Sequence, residues 1–245
     1  FLAGQVVLAR LFKFEGVPPG NAERLSLYAL VGAIAGARLV HCLFYDPHYY
    51  LSDPLAILRI WEGGLASHGG AGGILLGLWL GARTLRPKVS FLWLIDRASI
   101  PAALGAVFVR IANFLNSEIV GIPTMSGWGV IFEAVDGLPR HPAQLYEAAA
   151  YLITCFILLT IYWRLRQRTP HGLLFAIFLV LVFTARIFVE FYKVPQAAYE
   201  SGQFFSVGQL LSLPFVVFGL VMVLWSTGHL TRSSTGRAKS GASVS

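Results

Sequence analysis

Gly172-Leu-Leu-Phe-Ala-Ile-Phe-Leu-Val-Leu-Val-Phe-Thr-Ala-Arg186-Ile-Phe-Val-Glu190-Phe-Tyr192 is apolar along almost its whole length. About 20 apolar residues carry a helix across the hydrocarbon of a bilayer, so this run predicts a transmembrane helix. Lipid offers the backbone no hydrogen-bond partners, and the run is too long for a barrel strand, which leaves the helix as the only form that satisfies its own amides. Two ionisable groups, Arg186 and Glu190, stand inside it.

On either side of this run, comparable stretches bounded by charges or proline occur at 25–44, 64–82, 91–116, 143–163 and 207–225. Residues 1–13 read as the inner part of one more span, ending at Arg10 and Lys13, with the rest expected upstream of Phe1. The expectation is an all-α integral membrane protein, a polytopic bundle of about seven helices whose first is truncated. A single transmembrane domain covers 1–226, and a polar tail occupies 227–245. Composition agrees: of 245 residues 56% are hydrophobic and 13% charged, and the mean hydropathy is +0.66. A soluble domain carries roughly a quarter charged residues, and a disordered chain lacks the apolar surface that 18 Phe and 6 Trp supply here.

The net charge of +7 has a topological explanation that makes nucleic acid an unneeded partner. Arg10, Lys13 and Arg24, then Arg83, Arg86 and Lys88, then Arg164, Arg166 and Arg168, then Arg232, Arg237 and Lys239 fall in alternate loops. The intervening loops hold acids such as Asp46, Asp53, Glu62, Glu133, Asp136 and Glu200. By the positive-inside rule the first set faces the cytoplasm, which puts the C-terminal tail there as well. Cys42 and Cys155 lie in apolar runs and read as small buried side chains.

Arg38, Arg110, Arg186, His68, Asn113, Asn116, Glu118, Glu147 and Glu190 remain in or beside the spans, gathered toward their non-cytoplasmic ends. Each is costly in hydrocarbon unless paired or hydrated. Arg110, Asn113 and Asn116 are spaced to share one helical stripe, and Arg186 and Glu190, four apart, are spaced for a salt bridge. Such groups serve either as staples between helices or as the lining of a hydrated pocket. Two guanidiniums on separate helices also make a bidentate clamp for a phosphate, and the nearest phosphate to a membrane protein is that of a phospholipid.

Glycines surround one imidazole in Gly63-Gly64-Leu-Ala-Ser67-His68-Gly69-Gly70-Ala-Gly72-Gly73, permitting close approach of a backbone or a ligand. His68 is either a packed polar residue or a proton acceptor. No spacing of His, Cys or acids defines a metal site, and no GxSxG elbow is present. Pro142 marks a helix start, after which Gln144, Tyr146 and Glu147 carry polar tips at the interface, while Trp61 and Trp128 suit an aromatic belt.

In order along the chain, Asp53-Pro54, Arg59-Ile-Trp61-Glu-Gly63-Gly64, Ser67-His68-Gly69-Gly70, Arg110 to Gly121, His141 to Glu147, Arg186 to Glu190 and Ser206-Val-Gly208-Gln209 resemble the bacterial prolipoprotein diacylglyceryl transferase family. The resemblance implies a seven-helix inner-membrane enzyme. It would move the diacylglyceryl group of phosphatidylglycerol to the lipobox cysteine of a preprolipoprotein signal peptide, leaving a thioether and glycerol 1-phosphate. It implies catalytic roles for His68, Arg110 and Arg186. Arg110, Asn113, Glu118, Gly121, Arg186 and Glu190 become substrate-binding residues, joined by Gly69, Gly70, Gln144 and Tyr146. The partners implied are phosphatidylglycerol, the preprolipoprotein and membrane lipid, with no metal or other cofactor.

Departures from the family pattern are Val109 and Ala112 where glycines flank the family's motif, Val182 for an aromatic, Lys193 for an arginine and Gln196 for an aspartate; the family's N-terminal His-Trp/Tyr-Gly segment has no counterpart. A non-catalytic or divergent relative that binds anionic phospholipid through the same arginines is the competing reading. A channel or transporter would call for internal repeats and polar residues along a pore, neither of which the sequence displays.

Overall fold

The computed structural model describes residues 1–18, 20–194 and 206–240, with side chains as far as residue 228. The segment 195–205, which holds Gln196 and Glu200, lies outside the described residues, as do 241–245 and the side chains of Arg232, Arg237 and Lys239. The architecture is helical: α1 (Leu2–Phe14), α2 (Gly20–Phe44), α3 (Pro47–Ser52), α4 (Ser67–Thr84), α5 (Phe91–Leu115), α6 (Ala143–Leu165), α7 (Leu173–Glu190) and α8 (Val207–Ser240). Short 3-10 turns cover Pro54–Leu58, Ile60–Glu62 and Arg166–Arg168. Strands β1 (Val130–Ile131) and β2 (Pro139–Arg140) form one antiparallel hairpin in the loop between α5 and α6.

The chain is an all-α, multi-pass membrane protein. Five described helices are long and apolar enough to cross a bilayer: α2, α5, α6 with its 3-10 extension, α7, and α8 as far as Gly228. The expected count of about seven is not reached by length and composition. The run predicted at 64–82 begins its helix only at Ser67, and glycines together with Ser67, His68 and Arg83 dilute its apolar content. α1 has 13 residues. α8 continues beyond residue 226, so helix extends into the polar tail as far as Ser240.

Two compact units succeed one another along the chain, Phe1–Ile95 and Asp96–Ser245. In the first, α2 and α4 lie backbone against backbone. Gly69, Gly73, Gly77 and Gly81 recur every fourth residue of α4 and are all buried. A Cβ on Gly73 would stand 2.7 Å from the Gly32 carbonyl carbon, and one on Gly36 would stand 2.9 Å from the Gly73 Cα. In lipid, where apolar burial between helices brings little, such close dispersion contact between small residues is what holds a helix pair together.

In the second unit the fully buried Asp96, from α5, accepts the backbone N–H of Gly172 at 2.6 Å and of Phe175 at 3.0 Å. The first amides of α7, orphaned by helix geometry, are thus capped by a carboxylate from another helix. Gly172 sits at φ +90°, a left-handed conformation that favours glycine. Val107, Ala148, Tyr151 and Val182 join α5, α6 and α7 in a buried cluster, while Phe183 stacks on Phe215 of α8 with ring centroids 4.4 Å apart. Arg97, which the sequence places near a helix end, is fully buried in α5.

Candidate active site

α5 ends in a Schellman-type turn. The N–H of Glu118 reaches back to the Asn113 carbonyl at 2.8 Å, and that of Ser117 to the Phe114 carbonyl at 3.1 Å. Ser117 at φ +56° and Ile119 at φ +55° are both left-handed. For a β-branched isoleucine this is a strained backbone, of the kind that clusters at binding sites. Between them Glu118 turns back along the helix. Its carboxylate accepts Asn113 Nδ2 at 2.6 Å and Asn116 Nδ2 at 3.4 Å, and Asn113 Oδ1 accepts Arg110 Nη1 at 3.3 Å. The stripe expected along α5 is therefore one hydrogen-bonded chain from Arg110 to Glu118.

From Arg110 the chain continues inward as ion pairs. Arg110 Nε lies 2.9 Å from Glu147 Oε2, Glu147 Oε1 lies 3.0 Å from Lys193 Nζ, and Lys193 Nζ lies 3.1 Å from Glu190 Oε2. Tyr151 donates to Glu147 Oε1 at 3.3 Å. Glu147 is completely buried. Glycine at position 208 admits Glu190: a Cβ there would stand 2.7 Å from Glu190 Oε1. The salt bridge expected between Arg186 and Glu190 is not formed, because the chain turns directly after α7 and returns Lys193 to the Glu190 carboxylate. Within these ion pairs two acids and two bases cancel in formal charge, while Glu118, exposed at the far end of the hydrogen-bonded chain, adds one negative charge. Arg186, half-buried on α7, has no carboxylate within ion-pair distance among the described residues.

Backbone pairing ties the loop after α5 to the turn after α7. Gly121 bridges Lys193, with Ile122 N–H to Tyr192 O at 2.9 Å and Val194 N–H to Val120 O at 3.2 Å. A Cβ on Gly121 would lie 2.7 Å from His141 Cβ and 2.8 Å from the Tyr192 carbonyl oxygen, so glycine is required by space. Gln144, fully buried, donates to the Glu118 carbonyl at 2.7 Å. The Tyr146 hydroxyl is shared by Trp128 Nε1 at 3.0 Å and His141 Nδ1 at 3.1 Å, and the ring packs edge-on to Tyr192. Arg140 holds Asp136 by Nε–H bonds of 3.1 and 3.2 Å and donates Nη1 to the Gly121 carbonyl at 3.0 Å. That pairing keeps the Asp136 carboxyl below its ordinary range and raises the guanidinium.

Of the residues singled out by sequence, the second unit thus brings together Arg110, Asn113, Glu118, Gly121, Gln144, Tyr146 and Glu190, with Arg186 one turn before Glu190 on α7. His68, Gly69 and Gly70 belong to the first unit, in the opening turn of α4. His68 is exposed, Gly69 is buried against Gly36 and Val40 of α2, and a Cβ on Gly70 would meet only ordinary contacts at 3.6 Å. Sequence reasoning passed over Lys193 as a site residue, because it lies beyond α7 and reaches Glu147 and Glu190 through the bridge to Gly121. Among the described residues no three His, Cys, Asp or Glu side chains converge on one point.

A family model described as "Prolipoprotein diacylglyceryl transferase" matches residues 1–225. Phosphatidylglycerol–prolipoprotein diacylglyceryl transferase from Tolumonas auensis is 50% identical over 232 residues, spanning 95% of this chain and 89% of that protein. The protein of the same name from Chloroherpeton thalassium is 44% identical over 226 residues, 92% of this chain and 84% of that one. One from Bacteroides fragilis is 39% identical over 232 residues, 90% and 83% of the two chains.

Proposed function

The chain belongs to the prolipoprotein diacylglyceryl transferase family, and on that basis we propose that it moves the diacylglyceryl group of phosphatidylglycerol onto the lipobox cysteine thiol of a preprolipoprotein. The observation that carries the reading is the local pairing of the cations in the cluster. Arg110, Glu147, Lys193 and Glu190 neutralise one another, and Arg186 stands beside them as a cation without an acid partner among the described residues. A phosphodiester anion supplies the counterion that Arg186 lacks at ion-pair distance.

In the reaction the cysteine sulfur bonds to the glyceryl carbon as that carbon's bond to the phosphate oxygen breaks. The oxygen leaves with the electron pair as glycerol 1-phosphate, and the product is a thioether. Arg186 and Arg110 stabilise the charge that grows on the departing phosphate. Asn113 and Glu118 orient Arg110, Glu147 fixes its Nε edge, and Gly121 lets His141 and Tyr192 pack close to the turn that follows them. Glu190, Gln144 and Tyr146 line or brace the donor site, and Gly69 and Gly70, packed against α2, shape the turn that carries His68. His68 accepts the thiol proton, since the thiolate is the attacking form. No cofactor is needed because the donor carries its own leaving group.

The site opens toward the periplasmic face of the bacterial inner membrane, with the membrane domain over 1–226 and the tail 227–245 cytoplasmic. Alternation of the cation-rich loops supports this orientation. Incubating the purified full-length protein in detergent with phosphatidylglycerol and a lipobox peptide tests the reading. A diacylglyceryl adduct found by mass spectrometry, and absent from Arg110→Ala and Arg186→Ala, is expected. No adduct where a characterised transferase makes one would overturn it. Near-normal transfer by His68→Gln would remove the base assignment alone.

A further inference from the structure

Arg38 is a buried guanidinium in α2 that the transfer chemistry leaves unused. A guanidinium carries five N–H donors in a fixed fork. Here Nε donates to the Ile57 carbonyl at 2.9 Å, and Nη2 to those of Ala56 at 2.6 Å and Arg59 at 2.9 Å. Nη1 donates to the carbonyl of Gly63 and to that of Gly64 at 3.3 Å. Every acceptor is backbone, and all five lie in the stretch between α3 and α4. Two 3-10 turns end in this stretch, and the Ala56 and Arg59 carbonyls accept the Arg59 and Glu62 amides at 3.1 and 3.2 Å as well as the guanidinium. Their negative ends converge on one cation, so the buried charge is stabilised without a carboxylate.

Four further features fit the same cage. Gly63 at φ +88° and Gly64 at φ +73° are left-handed, which aims their carbonyls at Arg38. A Cβ on Gly64 would stand 2.9 Å from Arg38 Nη1 and 2.6 Å from the His41 ring, so the glycine is needed for space as well as for conformation. The Tyr50 ring lies 5.1 Å from the guanidinium carbon, and the N–H of Ala66 bonds to the carbonyl of Ala37 at 3.0 Å, beside Arg38 itself. The strand of chain from Ala56 to Ala66 is thereby tied to two adjacent residues of α2 immediately before α4 begins with Ser67 and His68.

We propose that Arg38 is a positioning residue for the transfer: by gathering five backbone carbonyls it fixes the segment that presents His68. This rests on the reading of His68 as a participant in the reaction. Lysine in its place offers three donors without the planar fork, and cannot hold two turns and a glycine pair together. The effect falls on the geometry of the acceptor-activating side and leaves donor binding, at Arg110 and Arg186, untouched.

The test measures Arg38→Lys, Arg38→Gln and Gly64→Ala in the full chain in detergent, tracking transfer kinetics and backbone amide exchange together. Expected are faster exchange at Arg59, Glu62 and Ala66, unchanged protection across the α2–α4 glycine contact, and kcat lower by about tenfold or more, with KM for phosphatidylglycerol within about twofold. Gly64→Ala reaches the same cage from the loop side, so it decides the matter if the Arg38 variants do not fold. Wild-type exchange and kcat in the folded Arg38 variants would overturn the proposal, as would a fall in kcat and a rise in KM together with uniform loss of protection. A wild-type chain without transferase activity would defeat the functional reading instead. Exchange at residues 56–66 would then still decide whether Arg38 holds the segment.

Discussion

Arg110 and Lys193, from α5 and from the turn after α7, share one carboxylate: their nitrogens lie 2.9 and 3.0 Å from opposite oxygens of the fully buried Glu147. Separating buried charges from their partners is far more damaging than the pair is stabilising, because the survivor is left desolvated. Glu147→Gln or Lys193→Met alone is expected to destabilise the protein by about 3–5 kcal/mol. The double variant should lose less than the sum, because it removes opposite charges together. Thermal unfolding in detergent checks this. Strictly additive losses would show that the two residues do not depend on each other.

Arg186→Lys keeps the charge and loses the planar fork, so transfer should fall by roughly ten- to a hundredfold without a matching loss of stability. Initial rates at saturating peptide, with phosphatidylglycerol varied, measure it. A wild-type rate would mean that a point charge suffices at this position.

Gly121→Ala puts a methyl group against His141 and the Tyr192 carbonyl, where neither neighbour is a flexible chain end. Overpacking of this kind costs about 1–3 kcal/mol. Amide exchange at Ile122 and Val194, whose N–H groups close the bridge to the Lys193 segment, should accelerate first.

Adjacent glycines of α4 should behave oppositely. Gly73→Ala drives a methyl group into the Gly32 backbone and should weaken the α2–α4 contact by about 1–3 kcal/mol. Gly72→Ala meets nothing within 4 Å, and should be neutral or stabilise by up to about 1 kcal/mol through helix propensity. Equal melting temperatures for the two variants would contradict the packing described for this pair.

The Asp136–Arg140 pair gives the hairpin an acid limit. Hydrogen bonds from Arg140 hold the Asp136 carboxyl below its ordinary value of 3.8. Its stabilising contribution is therefore complete above the unfolded value and lost as pH falls through the lower folded one. The raised Arg140 contributes in the opposite sense, at alkaline pH. Exchange at the Leu138 amide, which donates to Asp136 Oδ1 at 3.2 Å, should stay slow until the pH is clearly below 3.8. Asp136→Asn should abolish that dependence.

Helices were legible where apolar runs were long, as in α7, and the hydrogen bond between Arg110 and Asn113 was implicit in their i, i+3 spacing. The glycine run was legible as a place of close approach, but spacing alone could not say that α2 would fill it. Arg186 and Glu190 misled for a physical reason. A spacing of four permits an ion pair on a straight helix, yet Lys193, brought back by pairing with Gly121, reached Glu190 instead. Partners chosen by a non-local backbone bridge leave no periodicity in the sequence. The Arg38 cage was hidden likewise, since carbonyls carry no sequence identity.

The carboxylate of Asp96 grips Gly172 and Phe175 at one end of α7, and Arg186 and Glu190 lie toward the other. At 1.5 Å per residue, Gly172 to Arg186 is roughly 21 Å of axis, and each added residue rotates the remainder of the helix by about 100°. α7 is thus a measuring stick whose zero mark is a buried aspartate. An insertion or deletion anywhere between Leu174 and Ala185 would leave the composition of the site intact and swing Arg186 to another side of the helix. Changing the length of this segment should therefore impair transfer more than exchanging most of its apolar residues.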